Sequence, residues 1–312
     1  MRYYVALDGG TSNTRLRLIK DNTVLASKKL PIGAGTAGGR ENWSAAVSEA
    51  ALSLLAENGL EQKDVVAMVG AGMITSEYGL CPLSHLPAPA GLSELAMGLK
   101  ECEIPGLSIP CYFVPGIKQM ARTAEGSDMM RGEEAETIGL LPYGGNSTVY
   151  VLPGTHAKHV FVDADGKITS FKTFMTGEMI GALSSGTILR DAVDLTVEGF
   201  HEEALLRGYD AAVRDGLSAA LFKTRIMKNL FSEGKRSTYS FFLGALLSDE
   251  IKSLKASGAR RVLVAGKASL RLPTECLLRH RTDIEIVGCP ESVIENASAL
   301  GVISVFEAAQ KL

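Results

Sequence analysis

Cysteine is scarce and poorly placed for either of its structural uses. The 312-residue chain has five, Cys81, Cys102, Cys111, Cys276 and Cys289, with no CxxC among them. That excludes a zinc-ribbon cluster and predicts reduced thiols rather than a disulfide framework. The five histidines show no metal-ligand spacing. A surplus of one charge is also missing. The net charge of −3 and pI near 6.0 leave no basic footprint for nucleic acid and no case for a membrane surface. No uninterrupted apolar run reaches the roughly 18 residues of a membrane span. Met1-Arg2-Tyr3 leads straight into a strand, so no cleaved leader is expected and the cytoplasm is the expected location. What the chain does have is 46% hydrophobic content over 312 residues, enough for two cores of ordinary domain size.

The organising stretch is the N-terminus. Val5-Ala6-Leu7 is an apolar run ending in Asp8; Gly9-Gly10-Thr11-Ser12-Asn13-Thr14 follows, and Leu16 and Leu18 then alternate with Arg15 and Arg17. This predicts a buried strand, a tight turn and a second strand. The glycines let backbone approach a ligand, and the N–H groups and hydroxyls after them suit phosphate. Asp8, at the carboxyl end of its strand, is placed to hold a cation. A turn for a metal-bound polyphosphate is the reading.

The pattern returns 144 residues later. Val149 to Thr155 lies over Val5 to Thr11, placing Gly154 on Gly10 and Thr155 on Thr11; Val160 and Val162 fall on Leu16 and Leu18, and Ile168 on Val24, without a gap. Two related domains facing each other across a cleft are expected, with the paired turns clasping one triphosphate.

Between the copies, Pro31 to Arg40 is Gly/Ala-rich and reads as a mobile loop. Trp43 to Glu57 reads as a helix with Ser44 as N-cap and Asn58-Gly59 as stop. Val65 to Val69 is a buried strand running into Gly70 to Ser76, which makes Thr75 and Ser76 candidate substrate contacts. A helix near Gly132 opens with Glu133, Glu134 and Glu136 in its first turn and joins the domains. Its Ala135 and Gly139 lie four apart, as do Ala297 and Gly301 in the closing helix, and the two are expected to pack. From Thr187 to Leu254 the pattern is helical, with stops near Gly208, Gly216 and Gly234. Arg261 to Ala265 is a strand leading into Gly266-Lys267.

Asp8-Gly-Gly-Thr11, the second Gly-Thr turn and the Ala-Gly after the late strand resemble the signatures of the actin-like sugar kinase and Hsp70 superfamily. Met130-Arg131-Gly132-Glu133-Glu134, Leu152-Pro153-Gly154-Thr155-His156-Ala157-Lys158 and Thr173-Phe-Met-Thr176-Gly177-Glu178 resemble the 2-dehydro-3-deoxygalactonokinase family. The resemblance covers nearly the whole chain. It implies an α/β fold of two duplicated ribonuclease H-like (actin-like ATPase) domains, mixed sheets flanked by helices with a cleft between. The domains would be 1–137, joined by the closing helix 295–312, and a nucleotide-binding domain 138–294. Two departures stand out: Gly9 occupies a place where the family usually carries an aromatic, and Gly266 is followed by Lys267 rather than a second glycine.

The implied reaction is ATP-dependent phosphorylation of 2-dehydro-3-deoxy-D-galactonate on its 6-hydroxyl, with Mg²⁺ on Asp8. Gly10, Thr11, Asn13, Gly154 and Thr155 would hold phosphates, Lys158 would neutralise the γ-phosphate, and Gly266 with Lys267 would meet the nucleoside. The base is placed at Glu133 or Glu134, with Glu134 preferred. Arg131 or Arg15 would pair the substrate carboxylate, Arg131 being preferred, and His156 would touch substrate. The partners expected are the sugar acid and ATP, with no nucleic acid and no membrane; a homodimer is compatible. The rivals are a kinase of another keto-deoxy acid or hexonate, a non-catalytic sugar sensor, and a chaperone-like ATPase.

Overall fold

The computed structural model describes residues 2–312, and its backbone is built twice to one plan. The chain divides into two compact units. The first runs to Asn146 and adds Val162–Phe171 and Pro290–Leu312; the second is Ser147–Phe161 with Lys172–Cys289.

The first unit contains β1 (Tyr3–Gly9), β2 (Thr14–Lys20), β3 (Thr23–Leu30), α1 (Arg40–Glu57), β4 (Val65–Gly72), β5 (Leu86–Pro87), α2 (Leu92–Gly98), β6 (Lys100–Glu101), β7 (Cys111–Phe113), β8 (Ile117–Gln119), β9 (Asp128–Met130) and α3 (Glu133–Gly144). Its main sheet has the order β3-β2-β1-β4-β7-β6, with a small sheet β5-β8-β9 beside it. β1 is antiparallel to β2 and parallel to β4. With a strand on each side, Tyr4 to Leu7 is buried on both faces, whereas the edge strand β3 alternates exposed and half-buried residues. Trp43, Val47, Ala51, Leu54 and Leu55 of α1 join Leu7, Leu16, Leu18 and Phe113 in one core.

The second unit carries β10 (Val149–Leu152), β11 (Ala157–Val162), the end of β12 (Ile168–Phe174, whose residues up to Phe171 group with the first unit), α4 (Thr176–Gly186), α5 (Glu202–Asp215), α6 (Leu217–Phe231), α7 (Lys235–Ala256), β13 (Arg261–Val264), α8 (Ala268–Arg281) and β14 (Glu285–Ile286). The sheet order is β12-β11-β10-β13-β14, and β10 is again antiparallel to the strand that follows it and parallel to the late one. The duplication is therefore one of topology, not only of sequence pattern. The chain closes with α9 (Glu291–Ala309) in the first unit.

Close helix crossings explain two pairs of small residues. A Cβ added at Gly139 of α3 would stand 1.9 Å from the Ala297 carbonyl oxygen, and one at Gly301 of α9 would stand 1.8 Å from that of Ala135. The expected packing of these helices is what the structure has. Because α3 runs unbroken to Gly144 along α9, residues 138–146 go with the first unit, where the split was expected at 137. α9 is apolar and long enough by composition to cross a membrane, yet half of it is buried inside the unit, as a core helix would be.

Several expectations need correction. Gly208 does not stop a helix: it lies inside α5, where an added Cβ would meet the Phe241 carbonyl oxygen at 2.0 Å, and Gly244 of α7 meets that of Leu205 at 1.9 Å. Gly139 and Gly208 thus serve one purpose in different units. The cap of α1 is Gly39; Ser44 lies buried within the helix, its hydroxyl without a partner. Cys81 and Cys102 are joined in a disulfide with Cα atoms 6.1 Å apart, because the segment leaving β4 returns beside β6, a proximity that cysteine spacing does not encode. Residues 31–40 are tied down, as described below.

Candidate functional site

In the first unit the turn after β1 is tight: Gly10 N–H donates to Asn13 O at 2.9 Å, leaving Thr11, Ser12 and Asn13 exposed. The Gly-rich stretch after β3 clasps it. Ala34 N–H donates to Gly10 O (3.1 Å) and Gly35 N–H to Thr11 O (2.8 Å), and a Cβ at Gly33 would fall 2.4 Å from Gly10 O. A loop holding two main-chain bonds to the phosphate turn is part of the site. At Gly9 a Cβ would meet Ile74 Cβ at 2.6 Å and the Trp43 ring at 3.1 Å. Trp43, fully buried, donates Nε1–H to Thr14 Oγ1 at 2.8 Å, so an aromatic from α1 fills the space beside this glycine.

Charge gathers around Asp8. In the β1–β2 ladder Asp8 lies directly opposite Arg15. Burial pushes its carboxyl up, Glu133 adds to this, and Arg17 and Arg15 oppose it. Glu136, at the same helix start, is pushed up to about 8 by burial and by the neighbouring Glu133 and Asp8 charges. Carboxyl groups that raise one another's affinity for protons are a donor set suited to a hard cation, which binds oxygen.

The start of α3 is fixed by backbone contacts. Gly132 has φ 113° and lies with a would-be Cβ 3.2 Å from Gly72 Cα; at Gly72, with φ 90°, an added Cβ would fall 2.6 Å from the Gly9 carbonyl oxygen. Side chains at either place would push the helix start away from Asp8. Glu133 is half-buried, and its Oε2 accepts from Arg131 N–H at 3.0 Å. Glu134 is wholly enclosed, both its oxygens accept from Gly132 N–H at 2.8 and 2.9 Å, and burial followed by the Glu133 charge pushes it up to about 8. Of the two candidate carboxylates, the preferred Glu134 is thus the enclosed one and Glu133 the more exposed.

Arg131 is also turned to another use. Its Nη1 donates to Thr75 O (2.6 Å) and Thr75 Oγ1 (2.7 Å), and its Nη2 to Leu83 O (3.0 Å) and toward His85 Nδ1 (3.2 Å). A guanidinium so occupied pins the segment after β4; Arg15, the other candidate, is half-buried. Thr75 is likewise not open to substrate: it is fully buried and its hydroxyl donates to Gly72 O at 3.0 Å. Ser76 next to it is buried, and its Oγ makes no hydrogen bond.

In the second unit the same skeleton carries different side chains. The loop after β12 presses on the turn after β10: a Cβ at Gly177 would be 2.3 Å from Gly154 O, and Glu178 N–H donates to Thr155 O at 3.2 Å. Gly33 and Gly177 are themselves 144 residues apart, so the repeat reaches further than the turns. At Gly266, φ 80°, an added Cβ would fall 2.6 Å from the Pro153 carbonyl oxygen, the counterpart of Gly72 on Gly9. The register breaks in the middle strand: Leu7 pairs with Leu16, whereas Val151 pairs with His159. The second turn is therefore one residue shorter and the gapless alignment of Val160 and Val162 slips by one.

Thr155 is exposed and Gly154 half-buried at this turn, and Lys267 is exposed beyond Gly266. His156 pairs with Glu178 at 2.7 Å, both about half exposed. Lys158 is 4% exposed within β11, opposite Leu152, so it does not project from the turn as a phosphate cation would. Behind it His159 Nε2 lies 3.4 Å from Glu250 Oε2, and Thr176 donates to the other Glu250 oxygen. Sequence reasoning missed Gly33, Gly72, Gly132, Gly177 and Glu250. Gly33 and Gly177 could have been found by extending the repeat comparison past the third strand; Gly72 and Gly132 fall outside its 144-residue register, and a buried acid on α7 leaves no local signal.

A family model described as 2-keto-3-deoxy-galactonokinase matches residues 8–304. A Rhizobium meliloti (strain 1021) protein named "Probable 2-dehydro-3-deoxygalactonokinase" is 33% identical over 61% of this chain and 59% of its own length; the chain thus spans a little over half of that relative. The 2-dehydro-3-deoxygalactonokinase of Escherichia coli (strain K12) is 26% identical over 98% of both chains. Among solved structures, one described as a "putative 2-dehydro-3-deoxygalactonokinase protein" from Sinorhizobium meliloti superposes with a TM-score of 0.80, at 24% identity, over 99% of this chain and 98% of its own. The activator of 2-hydroxyisocaproyl-CoA dehydratase from Clostridium difficile, with bound ADPNP, gives 0.54 at 15% identity over 99% and 96%. These structural likenesses carry the fold.

Proposed function

The chain belongs to the 2-keto-3-deoxy-galactonokinase family, and from that premise we propose that it transfers the γ-phosphoryl group of ATP to the 6-hydroxyl of 2-dehydro-3-deoxy-D-galactonate, in the cytoplasm, as a step of galactonate breakdown. One observation supports the chemistry most: Asp8, Arg15 and the half-buried Glu133 belong to one charged cluster at the end of β1 and the start of α3. Phosphoryl transfer has a loose transition state, and the protein contributes position and charge neutralisation. Mg²⁺ would sit on Asp8, supplying positive charge at the phosphates.

The remaining work falls to the chain's own groups. Thr11 and Asn13 of the first unit offer N–H and hydroxyl groups suited to phosphate oxygens, and the Gly154-Thr155 turn of the second offers donors of the same kind. Gly266, bare of a side chain, lets the nucleoside approach the backbone. Glu133 accepts the proton of the 6-hydroxyl as its oxygen bonds to phosphorus and ADP leaves. A carboxylate within hydrogen-bond reach contributes about 10² to 10⁴ in such transfers. Arg15 pairs the sugar-acid carboxylate, and Ser76 offers it a hydroxyl.

ADP release measured against a panel of keto-deoxy acids and hexonates, with and without Mg²⁺, tests the reading. Turnover that requires the metal and is fastest on 2-dehydro-3-deoxy-D-galactonate is expected. Faster turnover on another acid would move the specificity. ATP hydrolysis indifferent to every acid would refute a kinase.

A further inference from the structure

In the second unit, away from the phosphate turns, two helices bring together three side chains of a kind that metals select. Cys276 and His280 are one turn apart on α8, so they share a face. Glu202 begins α5. Their ligand atoms all lie within 4.8 Å of one another, and His280 Nε2 is 3.1 Å from Glu202 Oε1. The thiol is 5% exposed, whereas Glu202 and His280 are exposed, which leaves an open side for entry and for water. The cations alongside are held elsewhere: Arg279 donates to Glu275 at 2.8 Å, and Arg281 to Asp210 with two bonds of 2.7 Å. Nothing in the proposed phosphoryl transfer uses the trio.

We propose that Glu202, Cys276 and His280 form a binding site for a borderline-soft divalent cation of the zinc type, with water as fourth ligand. One thiolate, one imidazole and one carboxylate is a set that zinc accepts, and neighbouring ligands around it stand about 3.5 Å apart. The two exposed side chains need only small rotations to contract to that spacing. As the metal–sulfur bond forms, the thiol proton passes to solvent. The set differs from the all-oxygen environment that Mg²⁺ prefers, so the two metals sort between the sites. Because α8 starts directly after Gly266-Lys267, a bound ion would pin to α5 the helix that carries the nucleotide turn.

Titration of the metal-stripped, full-length protein with Co²⁺, without nucleotide, tests this. One equivalent is expected to give a thiolate-to-cobalt charge-transfer band and the intense visible bands of tetrahedral coordination. The charge-transfer band should vanish in Cys276→Ser and persist in Cys289→Ser and Cys111→Ser. His280→Ala and Glu202→Gln, both surface changes that leave folding intact, should each weaken binding about tenfold or more, and the rise in melting temperature caused by Zn²⁺ should disappear in His280→Ala. Absence of the band, its survival in Cys276→Ser, or unchanged Co²⁺ affinity in the His280 and Glu202 variants would overturn the site. These readouts do not involve turnover, so they stand or fall apart from the kinase reading.

Discussion

The two halves of this molecule share a backbone and differ in charge. Gly33 and Gly177, and Gly72 and Gly266, do the same steric work around two equivalent turns. Yet Asp8, with Arg15 opposite it, corresponds in the second unit to Leu152, with Lys158 buried opposite. The first turn is backed by Arg17, Glu133 and Glu136; the second by His159, Glu250 and Thr176, sealed from solvent. Under the proposed function, duplication preserved the shape of a phosphate turn, while the groups assigned to metal and proton stand in one copy. The lesson is that a phosphate turn is a matter of glycine sterics, whereas chemistry depends on which side chains crowd the strand end.

The largest effect should come from neutralising the charged copy. Glu133→Gln is expected to lower kcat by about 10² or more with little change in the KM for ATP, measured by coupled ADP release. Glu134→Gln should retain most of the activity, since that carboxyl only caps the helix start. A reversed result would return the proton acceptor to Glu134. In the uncharged copy, Thr155→Val should instead raise the KM for ATP about ten- to a hundredfold while kcat stays within a few fold, as expected for loss of one hydrogen bond to a charged group, worth about 1.5–3 kcal/mol. A drop in kcat alone would break the distinction between the halves.

Sterics should respond alike in both units. Gly139→Ala and Gly208→Ala each place a methyl within 2.0 Å of a carbonyl oxygen, and each should cost about 1–3 kcal/mol of stability by denaturant titration. Gly154→Ala, with open space at its Cβ, should leave stability nearly unchanged. Unequal losses at the two crossings would show that they are not equivalent.

The smallest effect is a pH dependence confined to the first unit. Glu136 is pushed up to about 8 from an ordinary value near 4.5, so the folded state holds a proton that the unfolded chain has lost. Its contribution to stability is fully present below about 4.5 and is lost as pH rises toward 8. Glu136→Gln should therefore raise the melting temperature at pH 8 relative to the parent and flatten the fall between pH 5 and 8. Equal slopes would show that Glu136 ionises freely.

Much of this was legible in the sequence. The alternating strands, the two Gly-Thr turns and the four-residue spacing of Ala135, Gly139, Ala297 and Gly301 are local or periodic, and they predicted the duplicated sheets and the α3–α9 crossing. The failures are long-range. Arg131 reads as a substrate arginine, but its partners Thr75 and Leu83 lie 56 and 48 residues away. Lys158 reads as a phosphate lysine, but a register slip of one residue in β11 places it in the interior. Cys81 and Cys102 meet through a chain reversal that no spacing rule contains. Residue type and local period determine where a turn is; which side chains face it is decided by strand register and by segments arriving from elsewhere.

The claim that chemistry resides in the first unit alone is tested most directly by the single-turnover rate of Asp8→Asn at saturating ATP, Mg²⁺ and sugar acid. The account predicts a rate lower by about 10² or more in a protein that still folds and binds nucleotide; a rate equal to the parent's would contradict it.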